Sequence, residues 1–116
     1  MTEISKEYFA MQDLGRETMD YVRSIVKPGM NLRQLRAECE EYMLSRGADS
    51  FWWCGVGAFM FSGDETAVSV VPESGYEAAD KLIGSDDIIT IDLSPQRQGV
   101  WGDFARTLIL EDGKLV

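Results

Sequence analysis

The feature that most constrains the fold is a pair of β-rich runs on either side of a short polar stretch. The runs cover residues 87–93 and 100–110, and the stretch between them, residues 94–99, contains Pro95 and Gly99. Two runs of β-forming residues around a segment with Pro and Gly are typical of an antiparallel hairpin. The sequence therefore predicts two paired strands in its last third.

Asp92 and Asp103 interrupt the apolar character of these two runs. With the turn centred between Arg97 and Gln98, the two carboxylates face each other across the ladder, with Cβ atoms about 5 Å apart. Opposed carboxylates repel unless a cation lies between them, and hard divalent cations take oxygen ligands. A solvated pair is the alternative, and a one-residue bulge would place the two side chains on opposite faces. The apolar setting favours metal ligation, because an unpaired charge there is costly.

The segment from Asp86 to Thr107 resembles the metal-binding hairpin of the pita-bread metallopeptidases, in which an Ile-Asp strand end precedes a second Asp and an Arg-Thr pair. That family includes methionine aminopeptidases, Xaa-Pro aminopeptidases and prolidases, with creatinase as a relative. Residues 26–35, with Pro28 and Gly29, resemble its Pro-Gly-x-Thr-Leu helix start, and residues 46–48 resemble the end of the next helix. The similarity spans roughly residues 10 to 112.

The resemblance implies that Asp92 chelates one metal ion and that Asp103 bridges two. It implies a divalent metal cofactor (manganese, cobalt, zinc or iron) and peptide N-termini as substrates. In the family one His and two Glu farther along the chain complete the centre. The 116 residues contain no His, so we expect weak metal binding and no peptidase activity from this chain by itself.

Three functions remain open at this stage. The first is one half of an aminopeptidase or Xaa-Pro peptidase domain, formed by residues 1–116. The second is a non-catalytic pita-bread module that binds peptides or proteins, and the third is a small α+β interaction domain with an accidental resemblance. A half domain would expose apolar surface, which predicts a homodimer or pairing with the missing C-terminal half.

Composition excludes several other classes of protein. Eleven basic and twenty acidic residues give a net charge of −9, which argues against nucleic acid as a partner. The N-terminal sequence lacks the features of a signal peptide, and no apolar run is long enough for a membrane span. Cys39 and Cys54 lack metal or disulfide spacing and are predicted to be buried free thiols. We therefore expect a cytoplasmic protein.

Hydrophobic periodicity predicts two amphipathic helices followed by strands. The first helix covers about residues 5–26, and the second follows Asn31 as its cap and ends at Gly47, with Glu40 on its outer side. Predicted strands cover residues 50–54, 58–62 and 67–71, and an irregular or helical turn covers residues 76–83. This order predicts an α+β fold in which two N-terminal helices pack on an antiparallel sheet.

Two further residues attract specific expectations. Trp53 belongs to an aromatic pair, Trp52 and Trp53, on the predicted strand 50–54. The resemblance implies that this region helps to form the wall of the substrate pocket, so Trp53 is a candidate substrate-binding residue, although burial in the core is the alternative.

Arg106 lies three residues after Asp103, which places it on the opposite strand face. We expect it to form a structural ion pair.

Overall fold

The computed structural model describes residues 2–63 and 76–116. Two helices come first, and two antiparallel sheets follow. The elements are α1 (Glu3–Ile25), α2 (Leu32–Ser45), β1 (Ser50–Phe51), β2 (Ala58–Ser62), β3 (Asp87–Leu93), β4 (Pro95–Arg97), β5 (Val100–Trp101), β6 (Phe104–Glu111) and β7 (Lys114–Leu115). The predicted α+β order is confirmed.

A side-chain cap marks the start of each helix: α1 begins at Glu3, slightly before its predicted start, and α2 follows its predicted cap, Asn31. The hydroxyl of Thr2 accepts a hydrogen bond from the Ser5 amide at 3.1 Å, which caps α1. The side chain of Asn31 accepts from the Arg33 amide at 2.9 Å and caps α2. Such caps satisfy amides that have no partner within the helix. After α2, Gly47 adopts φ +130°, a conformation that glycine tolerates best.

The larger sheet has the strand order β2-β3-β6-β7, and the smaller sheet has the order β1-β4-β5. Alternate residues of β2, β3 and β6 point toward the helices and are buried. They form the core together with the inner side chains of α1 and α2; the largest of these residues are Met11, Leu32, Leu35, Met43, Met60, Ile89, Ile91, Leu93, Leu108 and Leu110. The opposite face of the larger sheet, here called the open face, has neither helix packed on it.

The predicted strand 50–54 is wrong beyond its first two residues. The chain turns at residues 52–55, where Cys54 and Gly55 both have positive φ, at 53° and 69°. Two successive residues in this conformation cannot continue a strand. Cys54 is therefore exposed, contrary to the prediction, whereas Cys39 is a buried free thiol as predicted. Residues 76–83 are irregular, and the predicted strand 67–71 lies outside the described residues.

The hairpin forms, but its register differs from the prediction by two residues. Asp92 pairs with Ala105 and Arg97 pairs with Val100, so the turn is centred between Gln98 and Gly99. Both turn residues have positive φ, at 51° and 79°, which is the geometry of the two-residue turns that match strand twist. Asp92 and Asp103 are consequently diagonal neighbours and not direct cross-strand partners. A shift of two residues preserves the face, so both side chains still belong to the same side.

Neither described helix combines the length and the apolar character that a membrane span requires.

Candidate metal centre

Asp92 is near the end of β3 and points to the open face of the larger sheet. Its cross-strand partners are Phe59 on β2 and Ala105 on β6, and paired residues in a sheet share one face. The neighbouring positions Ile91 and Leu93 point the other way and are buried in the core. The strand thus fixes the backbone of Asp92 firmly while leaving its carboxylate accessible from the open face.

Asp103 lies where the second arm of the hairpin is interrupted between β5 and β6. Three hydrogen bonds hold the backbone at this interruption. The Gly102 amide donates to Pro95 O at 2.8 Å, the Trp52 indole Nε1 donates to Gly102 O at 2.6 Å, and the Asp103 amide donates to Gln12 Oε1 at 2.6 Å. Gly102 and Asp103 are therefore held in place by these hydrogen bonds, although neither residue belongs to β5 or β6.

The two carboxylates interact electrostatically. Loss of hydration, the negative charge of Asp103 and a hydrogen bond with the Asp103 carboxyl together raise the pKa of Asp92 from 3.8 to about 6. Each of these causes disfavours a second negative charge at the same place. A divalent cation between the carboxylates would remove the repulsion and accept both as oxygen ligands. The donor set thus fits part of a divalent-metal site.

The set is incomplete among the described residues. Within residues 2–63 and 76–116, no three His, Cys, Asp or Glu side chains come together in a group that could hold a metal ion. Metal affinity follows the number and geometry of the ligands. Asp92 and Asp103 by themselves are therefore expected to bind a divalent cation weakly.

An aromatic cluster borders Asp92 on the β2 side. Trp53 packs edge-to-face on Phe59 with ring centroids 4.6 Å apart, and Phe59 contacts Tyr76 at 4.8 Å. The Tyr76 hydroxyl accepts from the Met60 amide at 2.7 Å and donates to Met60 O at 2.9 Å, which fixes the cluster to the outer edge of β2. Trp53 is half-buried in the 52–55 turn, and Phe59 separates it from Asp92.

Arg106 does not form the expected ion pair with a residue that the structure describes. Its guanidinium lies over the Phe104 ring, 4.1 Å from the centroid, and donates to Ala105 O at 2.7 Å. The alternation of β6 places Arg106 on the helix side of the sheet, because it pairs with the buried Ile91. The side chain therefore faces away from the two carboxylates.

Several residues around the carboxylates were missed at the sequence level. Phe59 was assigned to a strand, but nothing in its own pattern indicated that it would be the neighbour of Asp92. Gln12 is 91 positions away from Asp103 in the sequence and belongs to a helix with many polar residues. Only the tertiary fold brings these residues to the site.

Comparison with protein families identifies the family to which a chain with this fold belongs. The chain matches the model of metallopeptidase family M24 over residues 7–115. It belongs to this family, and membership implies the use of a divalent metal ion. Comparison with curated proteins gives no match.

Solved structures of the same architecture include peptidases from bacteria and archaea. The Xaa-Pro dipeptidase from Bacillus anthracis is 20% identical, with a TM-score of 0.79 over 96% of this chain and 29% of that chain. The prolidase from Pyrococcus furiosus is 20% identical, with a TM-score of 0.78 over 95% of this chain and 30% of that chain. The X-Pro aminopeptidase from Thermotoga maritima is 18% identical, with a TM-score of 0.74 over 90% of this chain and 27% of that chain.

These similarities confirm the expected pita-bread type of α+β fold. They also show that the chain spans less than a third of the length of the peptidases it matches. The third hypothesis, an accidental resemblance, is wrong because the family match covers nearly the whole chain.

Proposed function

We propose that this chain contributes the carboxylate part of a divalent-metal peptidase centre, with Asp92 and Asp103 as metal ligands. The observation that carries the proposal is the meeting of these two carboxylates on the open face of a pita-bread sheet. Loss of hydration and repulsion from the negative charge of Asp103 raise the pKa of Asp92 to about 6, and a bound cation would relieve the repulsion. Carboxyl groups whose pKa is strongly perturbed in this way are concentrated at functional sites.

Different residues of the chain would have different roles in such a site. Asp92, near the end of β3, and Asp103, at the interruption between β5 and β6, would hold the cation. When bound, a divalent cation supplies Lewis acidity that polarises a carbonyl group and lowers the pKa of a bound water. Phe59 and Trp53 form an apolar wall beside Asp92, which excludes water from one side and offers a surface for an apolar substrate side chain.

We propose peptide N-termini as the substrate class, with bonds before proline among those cleaved. The support is the set of structurally similar enzymes, which include an Xaa-Pro dipeptidase, a prolidase and an X-Pro aminopeptidase. Trp53 is proposed as a substrate-binding residue through its edge-to-face contact with Phe59. The free thiols of Cys39 and Cys54 agree with a reducing compartment, and we propose the cytoplasm.

Metal binding is the decisive test of this proposal. Calorimetric titration with Mn²⁺ and Co²⁺ should show weak binding to the wild type and none to Asp103→Asn. The matched control is Asp20→Asn, which removes the same charge from the exposed side of α1 and should leave the binding unchanged. Absence of binding to the wild type, or equal binding to Asp103→Asn, would overturn the assignment of the two ligands.

We further propose that the chain by itself does not cleave peptides, because two carboxylates leave most of a dinuclear centre unformed. Incubation of the metal-loaded chain with Xaa-Pro dipeptides and short peptides with free N-termini should release no amino acid. Robust release that Asp103→Asn abolishes would contradict this proposal.

The alternative is a non-catalytic module that binds peptides or proteins through the open face. The exposed pair Ile88 and Ile109 on that face favours it, since adjacent apolar side chains at the surface mark interaction sites. Peptide binding that is unchanged by chelators and by Asp103→Asn would support the module and exclude a role for the metal in recognition.

A further inference from the structure

The interruption of the hairpin at Gly102 and Asp103 is fixed by residues outside the hairpin ladder. From the β1–β2 turn, Trp52 donates its indole N–H to Gly102 O at 2.6 Å. From α1, Gln12 offers its side-chain oxygen to the Asp103 amide at 2.6 Å. The Asp103 amide would otherwise have only solvent as a partner, since the residue belongs to no strand and is exposed.

Helix α1 is in direct contact with this part of the chain. A Cβ atom built on Gly102 would lie 2.7 Å from the carbonyl oxygen of Met11, the residue that precedes Gln12. A second close approach follows at Gly15, where a Cβ atom would lie 2.8 Å from Phe104 Cβ. The backbone that carries Gln12 is therefore held against the backbone that carries Asp103. The distance between the Gln12 side chain and the Asp103 amide is therefore fixed by the packing of α1 on this segment.

We propose that Gln12 is a positioning residue that sets the Asp103 carboxylate against Asp92. The inference rests on the proposed metal-ligand function and deepens it, because Gln12 touches the backbone of a ligand and not the metal or the substrate. Gln12 connects the position of α1 to the geometry of the site. The helix is held by its packing on the core, and the Gln12 side chain binds the backbone amide of Asp103. Trp52 donates to the carbonyl oxygen at the opposite edge of the same trans peptide group, Gly102–Asp103.

The expected size of the effect follows from the role. Residues that orient a metal ligand without touching the metal typically change metal affinity by about 10- to 100-fold when they are replaced. A purely structural hydrogen bond would change stability but leave the affinity of the folded protein unchanged. Metal affinity measured on the folded protein therefore separates the two roles.

The test compares two substitutions at one position. Gln12→Met keeps the length of the side chain and removes the hydrogen-bond acceptor, whereas Gln12→Glu keeps an acceptor oxygen. The control is Gln34→Met, the same exchange at an exposed position of α2. Two quantities are measured by NMR on each protein: hydrogen exchange of the Asp103 amide without metal, and the Mn²⁺ concentration that broadens the amides around Asp92 and Asp103.

We expect Gln12→Met to lose protection of the Asp103 amide and to require about tenfold more Mn²⁺. Gln12→Glu and Gln34→Met should retain the protection, and neither should bind Mn²⁺ more weakly than the wild type. Unchanged protection in Gln12→Met, or lost protection with unchanged Mn²⁺ affinity, would overturn the positioning role. So would a Gln12→Glu protein that behaves like Gln12→Met. Absence of Mn²⁺ broadening in the wild type would instead refute the proposed metal ligands, whereas the amide protection would still report whether Gln12 holds Asp103.

Discussion

The raised pKa of Asp92 makes the stability of the metal-free fold depend on pH. Because the pKa of Asp92 is raised from 3.8 to about 6, the folded chain holds this proton more tightly than the unfolded chain does. The contribution of Asp92 to the free energy of unfolding is therefore largest below about pH 4 and falls as the pH rises through about 6. At neutral pH the Asp92 carboxyl is ionised and this contribution to stability is lost.

Replacement of Asp92 by Asn should consequently stabilise the metal-free protein at neutral pH. We expect an increase in the free energy of unfolding of about 0.5 to 1 kcal/mol at pH ~7, the scale of a like-charge pair on adjacent strands. Near pH ~4 the increase should vanish, because the wild-type carboxyl is then protonated. Urea unfolding with a chelator present measures both values, with Asp20→Asn as the charge-matched control. A destabilised Asp92→Asn protein at neutral pH would contradict the repulsion.

The same raised pKa predicts that protons compete with the metal. Below about pH 6 a cation must displace the Asp92 proton, so the apparent Mn²⁺ affinity should fall by up to roughly tenfold per pH unit. Mn²⁺-induced line broadening, followed between neutral and mildly acidic pH, measures this dependence. Circular dichroism at each pH verifies that the protein stays folded. An affinity that does not change across this range would exclude Asp92 as a ligand.

Among the secondary-structure elements, those with a local signal were predictable and those fixed by tertiary contacts were not. Helices α1 and α2 follow from periodicity, and the start of α2 also follows from its capping residue Asn31. Both arms of the hairpin follow from their β-forming residues. The turn position did not, because Gln98 adopts a positive φ that a non-glycine residue rarely takes.

Glu40 shows that tertiary contacts also determine the surroundings of a single residue within a helix that periodicity predicts. Periodicity placed it on the outer side of α2, but its carboxylate accepts from the Gly57 amide at 2.7 Å and lies 3.4 Å from Arg36 Nη2.

Of the candidate site, the two Asp ligands could be proposed from spacing and family resemblance. Gln12 and Phe59 could not, because their proximity depends on how α1 and β2 pack against the hairpin.

The close packing of α1 on the interrupted strand predicts a strong requirement for glycine at position 102. Gly102→Ala would place a methyl group 2.7 Å from Met11 O, and a backbone atom cannot move away cheaply. We expect a loss of about 1 to 3 kcal/mol in the free energy of unfolding, the usual cost of overpacking, together with weaker Mn²⁺ binding.

The control for this prediction is Gly84→Ala. At Gly84 the nearest atoms to an added Cβ are 3.6 Å away or more, so the substitution should change stability little. Thermal and urea unfolding of the two variants measures the difference. A Gly102→Ala protein as stable as Gly84→Ala would show that α1 can withdraw from the hairpin, and the rigid connection proposed for Gln12 would then lose its basis.

At the scale of the whole molecule, the two faces of the larger sheet differ in what covers them. One face carries the helices and the core, whereas the open face exposes Ile88 and Ile109, cross-strand partners that are 38% and 43% exposed. The chain spans less than a third of the similar peptidases, and we propose that further protein covers this face. For the isolated chain, the available partner is a second copy.

We therefore predict a weak symmetric dimer formed through the open face. Each chain carries a net charge of −9, so added salt should strengthen the dimer by screening the repulsion between the copies. Light scattering from low to high micromolar concentration should show a rising mass, and Ile88→Lys should abolish the rise because it places a charge in the apolar contact. Leu44→Lys, which changes an apolar residue of α2 that is 49% exposed, should associate like the wild type. A monomer at every concentration and salt strength would exclude the dimer, and equal loss in the two variants would place the contact elsewhere on the surface.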